Sequence, residues 1–394
     1  MKANPGGQID LKEVVGRDVV IGEIRNVIEQ QSARLNAERR IGKTTIIKKL
    51  YHELQADWIT IFQDLEQYHT ALQFSTSVFR EVEKHLSRSK RTALNARKLL
   101  ESLGGMEVGG VFKLPEFTNN VPWKDILSSC IHDIVEESEK INKRPLFLWD
   151  EVPFMLENIK QREGEHVAME VLDSLRGLRQ TYETRGLRMI ITGSIGLHHV
   201  IKSLKQYNYA NAPMNDVLAI KILPLEFKSA QELSSKLITG EKIKTPLIKE
   251  TVIAIAKISD GFPFYIHHII KAMKLSAQEG SPELVELIVK KQLLDADDPW
   301  ELNHYRERIS TYYGKENEKA VLAILDSLAL REEAISLNDL LTELKATGEL
   351  DDRELLISLL KTIEQDHYLT RNMDGLYYFQ FPLLQRWWKL SRGL

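Results

Sequence analysis

The stretch Ala37-Glu38-Arg39-Arg40-Ile41-Gly42-Lys43-Thr44 constrains this chain more than any other. It follows the pattern G-x-x-x-x-G-K-[ST], with Ala37 in place of the first glycine. A loop of this kind turns backbone N–H groups toward one anion, and the following helix points its positive dipole end at the same place. It needs a strand leading in and a buried helix leading out. Ile46, Ile47, Leu50 and Leu54 recur at helical spacing, and Trp58-Ile59-Thr60-Ile61-Phe62 reads as the next strand. The strand leading in, Ala33–Asn36, is short and carries Arg34, which makes it the softest element. The bland alternative is a basic turn that opens an ordinary helix.

In the phosphate-loop reading, Lys43 reaches the β- and γ-phosphates of ATP and the Thr44 hydroxyl ligates Mg²⁺. Ala37, Glu38, Arg39, Arg40, Ile41, Gly42 and Thr45 complete the nucleotide-binding set. An alanine at position 37 is tolerated only where φ stays negative. A second segment supports the first. Leu146-Phe147-Leu148-Trp149-Asp150-Glu151 is an apolar strand ending in two carboxylates, about a hundred residues after the loop. Asp150 is expected to hold Mg²⁺, and Glu151 to orient or deprotonate the attacking water. A third strand, Met189-Ile190-Ile191-Thr192, runs into Gly193-Ser194. Ser194 is the expected contact to the γ-phosphate or the lytic water, with Thr192 as the alternative.

At 394 residues the chain exceeds one ordinary domain. Hydrophobic content of 43% and charged content of 28% describe a globular protein. The net charge of −3 gives no global case for nucleic acid or an anionic membrane. The single cysteine, Cys130, excludes an intrachain disulfide and fits a reducing compartment. Met1 to Asp10 carries no apolar segment of the secretory kind. No apolar run approaches the roughly 20 residues that span a bilayer. The expectation is a cytoplasmic protein with no membrane contact.

Strand candidates Ala33–Asn36, Trp58–Phe62, Leu146–Trp149, Arg188–Thr192 and Leu218–Ile222 alternate with helical patterns, which predicts an α/β parallel-sheet core over residues 1–228. An excursion at about 70–122 interrupts it. This carries the basic run Arg80 to Lys98 and a glycine-rich segment, Gly104 to Gly110, that reads as a loop or small hairpin. Residues 229–305 read as a helical lid. Residues 306–394 hold three helical patterns, then Tyr368-Leu369-Thr370 and Tyr377 to Phe381, joined by a turn containing Asp374-Gly375. Three helices and a two-stranded wing predict a winged helix.

Together these segments resemble the archaeal-type P-loop ATPases of the STAND group, within the wider AAA+-like class. The resemblance rests on Val15-Gly16-Arg17-Asp18, Glu38 to Thr44, Phe147 to Glu151, Ile191 to Leu197, Gly261-Phe262-Pro263 and Phe381 to Trp388, in the family's order. It implies a P-loop NTPase core, a helical lid and a winged helix, with ATP binding and hydrolysis switching the protein between states. It further implies that Arg17 leans on the adenine and ribose and that Pro263 opens a lid helix facing the nucleotide. Members act in signalling, defence or DNA transactions. An arginine finger given in trans would require a homo-oligomer.

The third helix of the C-terminal module, expected over about Asp351 to Asp366, has Leu355, Leu356, Leu359, Leu360 and Ile363 as its buried stripe. Asp351, Asp352, Glu354, Glu364 and Asp366 lie among its polar positions. Residues 316–366 hold 13 acids against 5 Lys or Arg. Duplex binding needs cations that displace counterions, so this balance favours a protein partner over DNA. The leading expectation is therefore an ATP-dependent molecular switch. The rivals are a DNA-loading AAA+-like ATPase, favoured by the basic run at 80–98, and a nucleotide-binding scaffold that does not hydrolyse, favoured by Ala37.

Overall fold

A computed structural model describes residues 1–87, 106–108, 111–113, 123–193 and 196–394. The chain forms two compact units. One comprises Asp18–Ala37 and Lys43–Ile222; the other comprises Met1–Arg17, Glu38–Gly42 and Leu223–Leu394.

The first unit is an α/β layer structure. Its elements in chain order are α1 (Asp18–Ile28), β1 (Ser32–Ala37), α2 (Lys43–Glu53), β2 (Trp58–Asp64), α3 (Ala71–Glu83), β3 (Met106–Val108) and β4 (Val111–Lys113). Then come α4 (Trp123–Lys140), β5 (Arg144–Asp150), α5 (Val152–Glu163), α6 (Glu165–Tyr182), β6 (Arg188–Thr192), α7 (Leu197–Gln206) and β7 (Val217–Ile222). Five strands form one parallel sheet in the order β2-β5-β6-β1-β7. Burial on both faces explains why β5 and β6 read as continuous apolar runs, whereas the edge strand β7 leaves Leu218, Ala219 and Lys221 exposed. Each expected strand is present; β6 has the expected bounds, and the other four are longer by one or two residues at one or both ends. β3 and β4 form a separate antiparallel pair within the excursion, and the basic residues from Arg88 to Lys98 lie outside the described residues.

The core under β2 and β5 is built around Trp149. Its ring meets Phe74 edge-on at 5.4 Å, and its Nε1 donates to Gln63 Oε1 at 2.9 Å. Gln63 Nε2 in turn donates to Ser77 Oγ at 3.1 Å. A large indole is thus accommodated in a buried strand with its one polar atom satisfied. That anchoring fixes the point where the next two residues, Asp150 and Glu151, leave the sheet.

The second unit is helical apart from one hairpin. Its elements are α8 (Phe227–Glu241), α9 (Ile248–Ile258), α10 (Pro263–Ser276), α11 (Pro282–Leu293), α12 (Asn303–Tyr312), α13 (Lys315–Ala329), α14 (Leu337–Ala346), α15 (Arg353–Gln365), β8 (Leu369–Arg371), β9 (Tyr377–Phe379) and α16 (Pro382–Arg392). Gly261 makes the entry to α10 possible. It has φ 72°, and a Cβ there would lie 2.2 Å from the Leu225 carbonyl oxygen. In the β8–β9 turn the Asn372 carboxamide oxygen accepts from the N–H groups of Asp374 and Leu376, and Gly375 takes φ 79°. Helices α13, α14 and α15 precede this hairpin, and α16 follows it.

Two expectations for α15 need correction. Leu355 is half-buried, so the stripe rests on Leu356, Leu359, Leu360 and Ile363. Asp366 is not on a solvated face. The helix stops at Gln365, His367 takes φ 63°, and the turn carries the Asp366 carboxylate inward to accept from the Tyr313 hydroxyl at 2.5 Å. In the tail, Trp387 and Trp388 are buried, Arg392 pairs with Asp326, and Arg386 pairs with Glu286. No helix among the described residues is long and apolar enough to cross a membrane.

Candidate nucleotide site

In the sheet unit, the ladders align the strand ends. Leu35 pairs with Thr192 and Trp149 with Ile191, so β1, β6 and β5 release Ala37, Thr192 and Asp150 along one edge. Ligands of open α/β sheets bind outside this carboxyl edge. Lys43 begins α2, and its Nζ donates back to the Ala37 carbonyl at 3.0 Å. Ala37 itself lies in β1 and is not among the left-handed residues. The missing glycine therefore imposes no backbone strain there.

Thr44 Oγ1 donates to Asp150 Oδ2 at 2.7 Å, and the Glu151 N–H donates to Asp150 Oδ1 at 3.1 Å. Asp150 is 2% exposed. Burial pushes its carboxyl pKa up, while the Thr44 hydroxyl pulls it down and the Glu151 charge pushes it up further. A hydroxyl and a carboxylate in contact, both hard oxygen donors, fit a small divalent cation.

Glu151 takes φ 58° as the residue before α5, a left-handed conformation that a glutamate adopts at a cost. A Cβ on Gly193 would lie 2.5 Å from Pro153 Cδ and 3.5 Å from Glu151 Oε2. The glycine therefore lets the end of β6 pass beside the turn at Glu151. Thr192 is 2% exposed, and its hydroxyl has no hydrogen-bond partner among the described residues. Ser194 lies outside the described residues. Thr45 is half-buried on the first turn of α2.

The middle of the loop, Glu38–Gly42, groups with the helical unit. Arg17 is buried, and its two guanidinium nitrogens donate to the Leu223 and Ile41 carbonyls, each at 2.7 Å. Burial lowers its pKa to about 10. Its fork thus fixes loop backbone, which the family resemblance did not imply. Arg40 and Gly42 are the loop's left-handed residues, with φ 67° and 97°. Arg40 pairs with Glu301 and lies 4.4 Å over the Phe264 ring, while Arg39 reaches Glu301 at 3.3 Å. Pro263 occupies the first turn of α10 and sets the position of Phe264.

Glu38 is buried at 2% exposure. Its Oε1 accepts from the Arg39 N–H at 2.7 Å and from Arg308 Nη2 at 3.1 Å, with His304 Nε2 at 3.7 Å. Burial acts to raise its pKa, but the Arg308 charge and the nearby His304 ring hold the carboxyl well below the usual range. His267 and His268 are packing residues. Burial lowers both to about 4, and His267 Nδ1 accepts from the Asn4 N–H at 3.1 Å.

Sequence reasoning did not find Glu301, Arg308 or Phe264. Arg308 sits in an unremarkable helical pattern 270 residues from Glu38, and no local signal marks it. Phe264 had a weak signal, lying one residue after Pro263.

No family model and no curated protein matches this chain. Solved structures do. The chain is similar to the Walker-type ATPase PABY2304 of Pyrococcus abyssi, with a TM-score of 0.63 at 14% identity, covering 96% of this chain and 97% of that one. It is also similar to the ORC2 protein of Aeropyrum pernix in its ADPNP-ADP complexes, with a TM-score of 0.53 at 12% identity, covering 99% and 96%. At these identities the likeness speaks to fold alone: this chain shares the fold of these two proteins.

Proposed function

We propose that this protein binds and hydrolyses Mg-ATP as a STAND-type P-loop ATPase and works as a nucleotide-dependent molecular switch in the cytoplasm. The observation that carries the reading is the 2.7 Å contact between Thr44 Oγ1 and Asp150 Oδ2, with Lys43 opening the same helix. A magnesium ion bound with ATP would neutralise charge on the β- and γ-phosphate oxygens. Thr44 and Asp150 would hold it, and Lys43 would leave the Ala37 carbonyl to contact phosphate. Glu151 would take a proton from water. The Thr192 hydroxyl, without a hydrogen-bond partner among the described residues, supports that residue as the phosphate sensor beside the first expectation, Ser194.

The C-terminal helices and hairpin, read as a winged helix, would relay the state to a protein partner. Asp351, Asp352 and Glu354 are exposed at the start of α15, and Arg353 there donates to Asn338 Oδ1 at 2.6 Å. Such a face repels a duplex. ATP turnover measured with and without DNA tests the whole reading: turnover indifferent to DNA supports it, and strongly DNA-dependent turnover would favour the DNA-loading alternative.

A further inference from the structure

A carboxylate inside a phosphate loop is electrostatically out of place. Phosphate loops hold anions with backbone N–H groups, and Glu38 already occupies one of them, the N–H of Arg39. A phosphate that needs this donor must displace the Glu38 carboxylate.

Arg308 meets that carboxylate with one arm of its guanidinium. With the other, Nη1, it donates to the Asp366 carbonyl at 2.9 Å. The fork is planar and rigid, so its two ends move together. Around it the surroundings are aromatic. The guanidinium carbon lies 5.4 Å from the Tyr305 ring centre and 6.0 Å from that of Tyr368, and the Tyr368 hydroxyl donates to the Tyr305 carbonyl. Asp366 begins the turn between α15 and β8, and its carboxylate is held by Tyr313 on the residue after α12. One side chain thus joins the phosphate loop to the base of the hairpin.

We infer that Arg308 is a positioning residue of the phosphate loop. It clamps Glu38 at one end and the Asp366 carbonyl at the other, so that displacement of Glu38 by a phosphate is passed to the turn that carries the hairpin. The inference rests on the nucleotide-switch reading and specifies its internal linkage. It differs from a merely structural ion pair in one respect: the pair matters for what ATP does at residues 366–371, not only for folding.

Hydrogen exchange of the full chain, with and without Mg-ATP, tests it alongside direct ATP binding. In the unmodified protein Mg-ATP changes exchange at residues 366–371 by at least about fivefold, the lower end of ordinary coupling between sites. Arg308→Ala leaves a buried carboxylate uncompensated and risks unfolding. The informative variant is therefore Arg308→Lys, which keeps a charge opposite Glu38 but loses the fork. It retains ATP binding, while the change at 366–371 falls below about twofold. Retention of the full exchange response in Arg308→Lys, or loss of its ATP binding, would overturn the inference and leave the nucleotide reading standing. Failure of the unmodified protein to bind ATP would overturn both.

Discussion

Asp150 and Glu38 are buried to the same degree, each 2% exposed, yet burial has opposite outcomes for them. Asp150 receives a neutral hydroxyl from Thr44, and its pKa is pushed up. Glu38 receives the guanidinium of Arg308, and its carboxyl stays ionised well below the usual range. A buried carboxylate bonded to a hydroxyl, with the Lys43 charge acting on it from nearby, is poised to take a divalent cation. A buried carboxylate with its cation built in is a joint. The two acids thereby separate the place where ligand chemistry is expected from the place where the loop is held.

Breaking the joint should have the largest effect. Arg308→Ala is expected to destabilise the protein by about 3–5 kcal/mol, because it strands an ionised carboxylate in the interior. Urea unfolding of the full chain measures this, and a loss under about 1 kcal/mol, the worth of an exposed pair, would erase the contrast between the two acids.

On the ligand side, Lys43→Ala removes a charge-assisted contact to phosphate worth about 1.5–3 kcal/mol, a loss of roughly 10- to 150-fold in ATP affinity. The fold should survive, since Lys43 opens α2 and the apolar side chains that bury this helix are Ile46, Ile47 and Leu50. Calorimetric titration with ATP reads the effect, and unchanged affinity would remove the phosphate-loop assignment. Glu151→Gln keeps size and hydrogen bonding but cannot take a proton from water, so ATP stays bound while turnover slows at least about tenfold. Normal turnover in that variant would exclude Glu151 as the base.

The smallest effect is in pH dependence, where the two acids have opposite signs. Asp150 has its folded pKa above the unfolded value, so its contribution to stability is full below the ordinary carboxylate pKa and is lost as pH rises through the raised value. For Glu38 the folded pKa is depressed, so its contribution is present above the ordinary carboxylate pKa, about 4, and is lost as pH falls below it. Without Mg²⁺, Asp150→Asn should therefore gain stability relative to the unmodified protein as pH rises from about 4 to 7. Glu38→Gln should approach the unmodified protein only below about pH 4. Thermal unfolding across that range would show the two trends, and parallel trends would contradict the assignment.

Much of the sheet unit was legible in the sequence because its signals are local. The apolar runs of β5 and β6, the Gly-Lys-Thr opening of α2 and the paired acids after Trp149 each declare themselves within a few residues. Ala37 raised a question that backbone geometry answers: the left-handed positions are Arg40 and Gly42, so an alanine ending β1 is unstrained. The helical unit was less legible where distant segments meet. Helical periodicity placed Asp366 with the solvated acids, but the chain turns at His367 and carries it inward. Arg308 and Glu301 gave no warning, since an arginine and a glutamate near a polar helix read as surface residues until the fold brings Glu38 and Arg40 to them.

The account stands on Asp150 as the acid that awaits a cation. The direct measurement is ATP affinity by calorimetry, with Mg²⁺ and with Mg²⁺ chelated, for the full chain and for Asp150→Asn. The expected result is binding strengthened by Mg²⁺ at least about tenfold in the unmodified protein, with that gain lost in the variant. Equal affinity with and without Mg²⁺ in the unmodified protein, or a Mg²⁺ gain that survives in Asp150→Asn, would contradict it.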